Sequence, residues 1–379
     1  MLNKKIGILG GGQLGKMMCQ SASKWNLDMA CLELSHACPA ANACNKIELG
    51  SFKIHEDVHR FGQDKDIITI EIESVNLEAL KDLEEQGKTV YPQARVIEII
   101  QDKGLQKKFY KQHKLASSEF KLVDSAKKIK EEILAGNIEI PFVQKLRKGG
   151  YDGKGVFVVK SIADLSNLLE GPSVIEDLVE IEKEISVIVA RNPLGEVVAY
   201  PVVEMEFNAK ANLVEFLAAP ARITSKDAET ATNLALQLIE KLDMVGLLAV
   251  ELFLSKSGEI LINEAAPRAH NSGHHTIESA YTSQYEQLLR AILGMPLGAT
   301  ENISPAVMIN LLGAEGYTGE AIYQGFEDAI AIPGVNVHLY GKTYTKPFRK
   351  MGHITVLASN LDEAIEKANL VKEKISIIA

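Results

Sequence analysis

The stretch ELFLSKSGEILINE, residues 251–264, contains two apolar runs joined by a serine–glycine turn signal, which is typical of a β-hairpin. If Ser257 and Gly258 form the loop, Glu251 falls directly opposite Glu264, and directly opposed side chains share one face of a sheet. Two carboxylates among apolar neighbours repel each other unless a proton or a cation lies between them. The pattern therefore predicts a Mg²⁺ site at Glu251 and Glu264, because this hard cation prefers oxygen ligands. A solvated hairpin, or one in another register, is the alternative.

At the N-terminus, strand and helix patterns alternate between residues 4 and 72, which predicts a parallel α/β layer. An apolar run at 6–9 precedes the glycine turn GGGQLG at 10–15, and a helical pattern follows at 16–25. Glu33 ends the next apolar run, as in dinucleotide-binding folds. A glycine turn at a helix N-terminus binds any phosphate, so the turn indicates either a dinucleotide or another anion. A purely structural tight turn is the alternative.

The length of 379 residues and two changes of pattern predict three domains. A charged helical segment near residues 93–114 leads from the parallel layer into strand patterns typical of an antiparallel α+β domain. Further strand patterns after residue 304 and a terminal helix from Leu361 predict a third, small domain. We therefore expect a mixed α/β and α+β protein with boundaries near residues 100 and 300.

A second glycine-rich segment, KGGYDGKG at residues 148–155, lies between two strand patterns. Exposed amides and flanking lysines can close over a polyphosphate, and Lys145 at the end of the preceding strand can point into the same cleft. A plain hairpin turn is the alternative, although one or two glycines would suffice for it. The segment therefore favours a phosphate-binding loop.

Two polar segments complete the candidate site. Residues 265–275, AAPRAHNSGHH, directly follow the acid pair and indicate a substrate-binding loop. Zinc is disfavoured there because further Cys and His residues at ligand spacing are absent from the sequence. Residues 342–353, KTYTKPFRKMGH, form a basic cluster that suits a phosphate monoester. Solvated surface loops are the alternative for both segments.

Composition and charge argue against several classes of protein. A net charge of −9 and a pI near 5.6 disfavour nucleic-acid binding. No run of about 18 apolar residues is present, so no membrane span is expected. The N-terminal segment is too short and too glycine-rich for a signal peptide. Four cysteines without a CxxC pair predict reduced thiols, and we expect a cytoplasmic protein.

The motifs GGYDGKG, ELF…INE, APRAHNSGHH and RKMGH together resemble those of the 5-(carboxyamino)imidazole ribonucleotide synthases, which are ATP-grasp enzymes of bacterial and fungal purine synthesis. The resemblance extends from GILGGGQLGKM at residue 7 to RKMGH at residue 349. It implies that ATP, bicarbonate and 5-aminoimidazole ribonucleotide give 5-carboxyaminoimidazole ribonucleotide, ADP and phosphate, by way of carboxyphosphate. Mg²⁺ or Mn²⁺, a homodimer and transfer of the product to a mutase are also implied.

The resemblance divides the chain into a Rossmann-like pre-ATP-grasp domain (1–100), an ATP-grasp domain (101–300) and a small C-terminal domain (301–379). It assigns the metal to Glu251 and Glu264 and catalytic roles to Asp152, Lys154, Arg268 and His270. The implied ATP contacts are Lys103, Lys145, Gly150, Tyr151, Asp152, Gly153, Lys154, Gly155, Val156, Glu176, Asp177, Leu178, Val179, Glu184, Phe207, Asn263 and Glu264. The implied ribonucleotide contacts are Gln13, Leu14, Glu71, Tyr151, Asp152, Asn271, Ser272, Lys342, Arg349 and Lys350.

The sequence departs from the family pattern at two positions. Phe207 stands where many relatives carry a histidine near ATP, and KPFRK replaces the commoner RPGRK before the last motif, with loss of a glycine. Three rivals remain: a formate-dependent glycinamide ribonucleotide transformylase, an NAD-dependent oxidoreductase that uses residues 10–15 with Glu33, and a nucleotide sensor without turnover. The HNSGH segment disfavours the first rival, while the glycine loop and the acid pair are unexplained by the second.

Overall fold

The computed structural model describes residues 2–150, 155–207 and 214–379. Its N-terminal part is a parallel sheet of five strands in the order β3-β2-β1-β4-β5, flanked by helices, as the alternating pattern predicts. The strands β1 and β4 are almost wholly buried apolar runs, which is typical of a parallel sheet covered on both faces. The elements are β1 (Lys5–Leu9), α1 (Gln13–Ser23), β2 (Asp28–Glu33), β3 (Lys46–Leu49), α2 (His55–Gly62), β4 (Ile67–Ile70), α3 (Leu77–Glu85) and β5 (Thr89–Val90).

The charged segment near residues 93–114 forms two helices, α4 (Ala94–Ile100) and α5 (Lys103–Gln112), and not one. Asp102 interrupts the helix because its carboxylate accepts from the amides of Gly104 and Leu105, which caps α5. The same carboxylate forms a two-pronged ion pair with Arg147. The connection is therefore anchored to the strand that precedes the glycine loop.

A small antiparallel sheet follows, with four strands in the order β6-β9-β7-β8. Its core contains buried apolar residues from strands and helix alike, including Val123, Ile129, Phe142 and Ile175. The elements are β6 (Phe120–Val123), α6 (Ala126–Leu134), β7 (Phe142–Leu146), β8 (Val156–Val159) and β9 (Ser173–Asp177). The chain then crosses into a second sheet.

The second sheet has nine strands, in the order β15-β14-β10-β12-β13-β16-β21-β19 with β11 beside β10. Its first six strands in chain order are β10 (Ile181–Arg191), β11 (Val197–Ala199), β12 (Val203–Phe207), β13 (Val214–Ala219), β14 (Gly246–Ser255) and β15 (Ile260–Ala266). The same part of the chain contains the helices α7 (Ser225–Leu242), α8 (Thr276–Ser279) and α9 (Gln284–Ile292). The last three strands of this sheet are β16 (Ala306–Leu312), β19 (Val335–Leu339) and β21 (Lys350–Leu357). Two separate two-stranded sheets pair β17 (Gly319–Glu320) with β20 (Tyr344–Thr345) and β18 (Ile322–Gln324) with β22 (Ser376–Ile378). The helices of this part of the chain are α10 (Phe326–Ile330) and α11 (Leu361–Lys374).

The pairing of β13 with β16 makes this sheet continuous across residue 300. The predicted division into domains at residues 100 and 300 stays a prediction. Within the described ranges, no helix has the length and apolar character that crossing a membrane requires.

Candidate active site between the two antiparallel sheets

The hairpin of β14 and β15 pairs Glu251 with Glu264, as the sequence predicts. The loop differs from the prediction: the amide of Ser255 donates to the carbonyl of Glu259, so residues 256–258 form the turn. This register would misalign the two acids by one residue. A bulge at Asn263 restores the pairing, because the register shifts between Glu251 and Leu252.

The two carboxylates have different electrostatic surroundings. Burial raises the pKa of Glu251, and the neighbouring charges of Glu264 and Glu184 raise it further. The ammonium group of Lys103, in direct contact with Glu264, lowers the pKa of Glu264. The negative charge of Glu251 is therefore poorly compensated by neighbouring positive charges, as is expected of a site that binds a cation.

Two lysines predicted to contact phosphate are brought to the acid pair. Lys103 forms an ion pair with Glu264. The Nζ atom of Lys145 donates to Asn263 Oδ1 at 2.8 Å and lies 3.1 Å from Glu176 Oε1. Because of the bulge, Asn263 and its neighbour Glu264 each meet one of the lysines. The side chains assigned to phosphate and metal thus lie in one polar cluster.

A buried polar network lies behind Lys145. Ser118 Oγ donates to Glu176 Oε2 at 2.7 Å, and Lys107 Nζ donates to Ser118 Oγ at 2.8 Å. Burial lowers the pKa of Lys107 to about 8. Burial also raises the pKa of Glu176, but Lys145 and Lys107 outweigh it and hold that pKa below its usual range. A charged helix and a serine carry no sequence signal for such a network.

The implied adenine and ribose contacts lie where the chain passes between the sheets. Glu176 and Asp177 end β9 of the four-stranded sheet, and Leu178 and Val179 lead into β10 of the nine-stranded one. The Glu176 carboxylate is buried and held internally, whereas Asp177 is exposed. Glu184 follows in β10, where burial raises the pKa of its carboxyl to about 7.

The glycine loop is described only at its two ends. Gly155 has φ +79° and its carbonyl accepts from the Leu146 amide at 2.8 Å, which starts the pairing of β7 with β8 beside Val156. Gly150 lies at the other end of the loop. The predicted contacts at Tyr151, Asp152, Gly153 and Lys154 lie outside the described residues, as does the side chain of Phe207.

The loop after β15 carries two predicted catalytic side chains, of which His270 contacts the acid pair and Arg268 contacts Glu73. His270 Nε2 lies 3.3 Å from Glu251 Oε1, and its Nδ1 lies 2.9 Å from Ser272 Oγ. Burial, followed by the charge of Arg268, lowers the pKa of His270 to about 3, so its imidazole is neutral near pH 7. Arg268 Nη2 lies 2.7 Å from Glu73 Oε1, in the segment after β4, and the sequence carries no signal for this pairing.

Asn271 and Ser272 are fixed by partners from the nine-stranded sheet. The side-chain amides of Asn271 and Asn310 donate to each other at 2.8 and 3.0 Å. Ser272 is buried, and its hydroxyl also lies 2.9 Å from that of Ser186. In this arrangement Ser272 orients His270, and its predicted contact with the ribonucleotide stays a prediction.

The backbone amides of the N-terminal glycine turn donate hydrogen bonds to two carboxylates of the protein itself. The amides of Gly12 and Gly15 donate to Glu71 at 2.6 and 2.8 Å, and the amide of Gly11 donates to Glu33 at 2.9 Å. Gln13 starts α1, and the side chain of Leu14 is buried. Glu33 is thus engaged with the turn itself, which does not favour the dinucleotide interpretation.

The basic segment lies beside this turn. Lys16 Nζ donates to Leu339 O at 2.8 Å and thereby joins α1 to the strand that precedes the segment. Lys342 Nζ donates to Lys350 O at 2.7 Å, and Arg349 Nη1 donates to a carbonyl within the segment at 2.6 Å. Phe348 adopts the left-handed backbone conformation with φ +63°. Glycine, the commoner residue at this position in the family pattern, adopts this conformation more readily. Lys16 had no sequence signal beyond its place in the helix.

Three family models match the chain in succession. A ribonucleotide synthetase preATP-grasp domain matches residues 3–101, an ATP-grasp domain matches residues 108–285, and a phosphoribosylaminoimidazole carboxylase C-terminal domain matches residues 306–367. The first of these matches covers the parallel sheet, and the other two share the nine-stranded sheet between them. The chain therefore combines an ATP-grasp domain with a preATP-grasp domain.

Solved structures and curated proteins extend the similarity over the whole chain. The chain is 43% identical to N5-carboxyaminoimidazole ribonucleotide synthetase from Thermotoga maritima, with a TM-score of 0.91 over 99% of both chains. A synthase from Aspergillus clavatus, solved with ADP and 5-aminoimidazole ribonucleotide, is 31% identical with a TM-score of 0.90 over 98% of both chains.

Among the curated relatives, the chain spans 64% of the length of the 40% identical chloroplastic phosphoribosylaminoimidazole carboxylase of Vigna aconitifolia, with 94% of this chain aligned. The N5-carboxyaminoimidazole ribonucleotide synthase of Bacillus subtilis is 36% identical over 96% of this chain and 93% of its own length. With this agreement in sequence, fold and domain order, the chain belongs to the N5-carboxyaminoimidazole ribonucleotide synthase family of ATP-grasp ligases.

Proposed function

We propose that this chain uses ATP and bicarbonate to carboxylate the exocyclic amine of 5-aminoimidazole ribonucleotide, with release of ADP and phosphate. The observation that carries the proposal is the meeting of Glu251, Glu264, Lys103, Lys145 and His270 in one cluster, in a member of this family. The cluster combines oxygen ligands for a cation with cationic groups for phosphates, which phosphoryl transfer requires.

For ATP, we place the adenine against the backbone of residues 176–179 and the ribose at Glu184. Lys103 and Lys145 would exchange their carboxylate and amide partners for phosphate oxygens. Asn263 and the described ends of the glycine loop, Gly150, Gly155 and Val156, lie on the same path. The connection between the two sheets supports this placement, because a nucleotide bound there contacts both layers.

The residues present fit a hard dication. Glu251 and Glu264 offer paired carboxylate oxygens, and the raised pKa of Glu251 marks the carboxylate whose charge is less well compensated. We assign Mg²⁺, with Mn²⁺ as the alternative, to these two residues. When bound, the ion neutralises charge on the transferred phosphoryl group.

In the proposed reaction an oxygen of bicarbonate attacks the γ-phosphorus of ATP, and the bond from that phosphorus to ADP breaks. The amine nitrogen then forms a bond to the carboxyl carbon of carboxyphosphate, phosphate leaves, and the nitrogen loses a proton. Arg268 provides a permanent positive charge beside this step. Neutral His270 orients Glu251, and Asp152 and Lys154 are proposed to act from the glycine loop.

For the ribonucleotide, we propose a phosphate site formed by Lys342, Arg349 and Lys350. The proposed site also includes Gln13, Leu14 and Glu71 of the N-terminal part, together with Asn271 and Ser272. The hydrogen bond from Lys16 to Leu339 supports this site, because it brings the two parts together.

We further propose a cytoplasmic homodimer that passes its product to a mutase. Its four free thiols suit a reducing compartment.

The test measures ADP release with each substrate omitted in turn. Full rate should require 5-aminoimidazole ribonucleotide and bicarbonate together, and ¹³C from labelled bicarbonate should appear in the carbamate of the product. Bicarbonate labelled with ¹⁸O should transfer one labelled oxygen to phosphate, because that oxygen attacks the γ-phosphorus. Full-rate turnover with formate and glycinamide ribonucleotide would instead assign the chain to the rival transformylase.

A further inference from the structure

Three cysteines that are far apart in sequence meet in the N-terminal part of the fold. Cys19 lies in α1, Cys31 lies in β2, and Cys44 lies two residues after a short 3-10 turn at Pro39–Asn42. Their Sγ atoms all lie within 4.8 Å of one another. Within the described ranges, this is the one group of three or more His, Cys, Asp or Glu side chains whose ligand atoms come so close.

The cluster has the donor set of a soft cation. All three ligand atoms are sulfur, and the surrounding core is apolar, with Met18 and Met29 among its buried members. A metal–sulfur distance of about 2.3 Å places the sulfurs of a trigonal site about 4 Å apart, which the observed spacing accommodates. Thiolates select Cu(I) and related ions over Mg²⁺ or Mn²⁺, which prefer oxygen.

We propose that Cys19, Cys31 and Cys44 bind one Cu(I) ion as a three-thiolate site. Structural Zn²⁺ requires a fourth ligand, whereas the group in the described residues has three. On binding, three S–H bonds are replaced by three Cu–S bonds, three protons pass to solvent, and the copper stays monovalent. Cys44 is partly exposed and provides the entrance, while the other two thiols are buried.

The site connects three segments that lie beneath the glycine turn. The amide of Ala40 donates to the carbonyl of Gly11 at 2.9 Å, so the 3-10 turn before Cys44 is attached to the glycine turn. A metal that binds only the folded arrangement of the three thiols stabilises the N-terminal part by mass action. Copper should therefore raise the unfolding temperature of the whole chain.

The experiment titrates the fully reduced protein, without oxygen, with Cu(I) held by a competing chromogenic chelator. The wild type should take up one equivalent per chain, develop ultraviolet thiolate-to-copper absorption, release three protons and unfold at a higher temperature. Cys44→Ser should lose this uptake. Cys38→Ser is the matched control, since Cys38 is also partly exposed and lies outside the cluster, and it should bind like the wild type.

Circular dichroism and unchanged ADP release verify that both variants are folded. The proposal is overturned if the wild type takes up no copper, if Cys44→Ser binds as well as the wild type, or if Cys38→Ser loses uptake equally. Zn²⁺ that competes on equal terms with Cu(I) would overturn the three-ligand assignment. The thiol count should fall from four to one only with copper bound; an equal fall without bound copper would mean disulfide formation and would also overturn it.

Discussion

Two segments have strong sequence signals: the hairpin of β14 and β15, and the glycine turn after β1. The outcome of the prediction differs between them. In the hairpin, the predicted partners Glu251 and Glu264 meet, although the turn has another register. In the glycine turn, the predicted geometry is present, but Glu33 and Glu71 accept from its amides. A pattern therefore predicts the geometry of a site more readily than it predicts what occupies the site.

The difference follows from where the decisive partner lies in the sequence. Both acids of the hairpin belong to one local unit, so their pairing follows from the alternation of strand residues. Glu71 reaches Gly12 across 59 residues, and only the packing of β4 beside β1 brings them together.

The largest effect is expected in the hairpin. Glu264→Gln should reduce phosphoryl transfer about a hundredfold or more, because charge stabilisation of the transition state is lost. Glu251→Gln should act similarly, and the double variant should be little worse, since the pair acts as a unit. ADP release at saturating Mg²⁺ and ATP measures this loss. Glu259→Gln, exposed in the same hairpin, is the matched control; near-normal turnover in both single variants would refute the assignment.

In the glycine turn, Glu71→Gln should lower stability by about 1–3 kcal/mol, because an amide nitrogen replaces one oxygen that accepts from a backbone N–H. Urea unfolding measures the change. Glu85→Gln, an exposed residue of α3, should leave the midpoint unchanged. If Glu71→Gln leaves stability intact, the carboxylate is not needed to hold the turn, and phosphate is free to take its place.

The pH dependence of stability separates the two acids of the hairpin in metal-free protein. Glu251 has a raised pKa when folded, so the stability from its proton is fully present below the ordinary glutamate pKa and is lost as pH rises through the folded value. The free energy of unfolding of the wild type, compared with that of Glu251→Gln, should therefore decline towards alkaline pH. Mg²⁺ should offset this decline.

Glu264 behaves differently because Lys103 neutralises it. If only the repulsion between the two acids mattered, either substitution should stabilise the metal-free protein. However, Glu264→Gln should destabilise it, because the substitution leaves Lys103 without this partner. Urea unfolding of both single variants measures the contrast. Equal stabilisation by both would mean that Lys103 does not compensate Glu264.

The smallest effect isolates backbone geometry at Phe348. Phe348→Gly and Phe348→Ala both remove the ring, but only glycine relieves the left-handed backbone. The glycine variant should therefore be more stable than the alanine variant by about 1 kcal/mol. Thermal unfolding measures the difference, and alanine equal to glycine would show that the segment relaxes to another conformation.

Much of the fold could be predicted from the sequence because it depends on local periodicity. The parallel N-terminal layer and the opposed acids are of this kind. The bulge at Asn263 could not be predicted, since its side chain bonds to Lys145 in another sheet. Neither could the partners of Arg268, Lys16 and the clustered cysteines, which depend on how distant elements pack. The roles of Tyr151 to Lys154 stay predictions.

The sheet that continues across residue 300 constrains how the chain can be shortened. Residues 216–219 of β13 pair with residues 306–309 of β16. A fragment that stops at residue 300 would leave this apolar row as an open sheet edge, with backbone donors and acceptors ready to recruit another chain. Such a fragment should aggregate, so a soluble fragment that contains the ATP-grasp region must also retain the strands that cover β13.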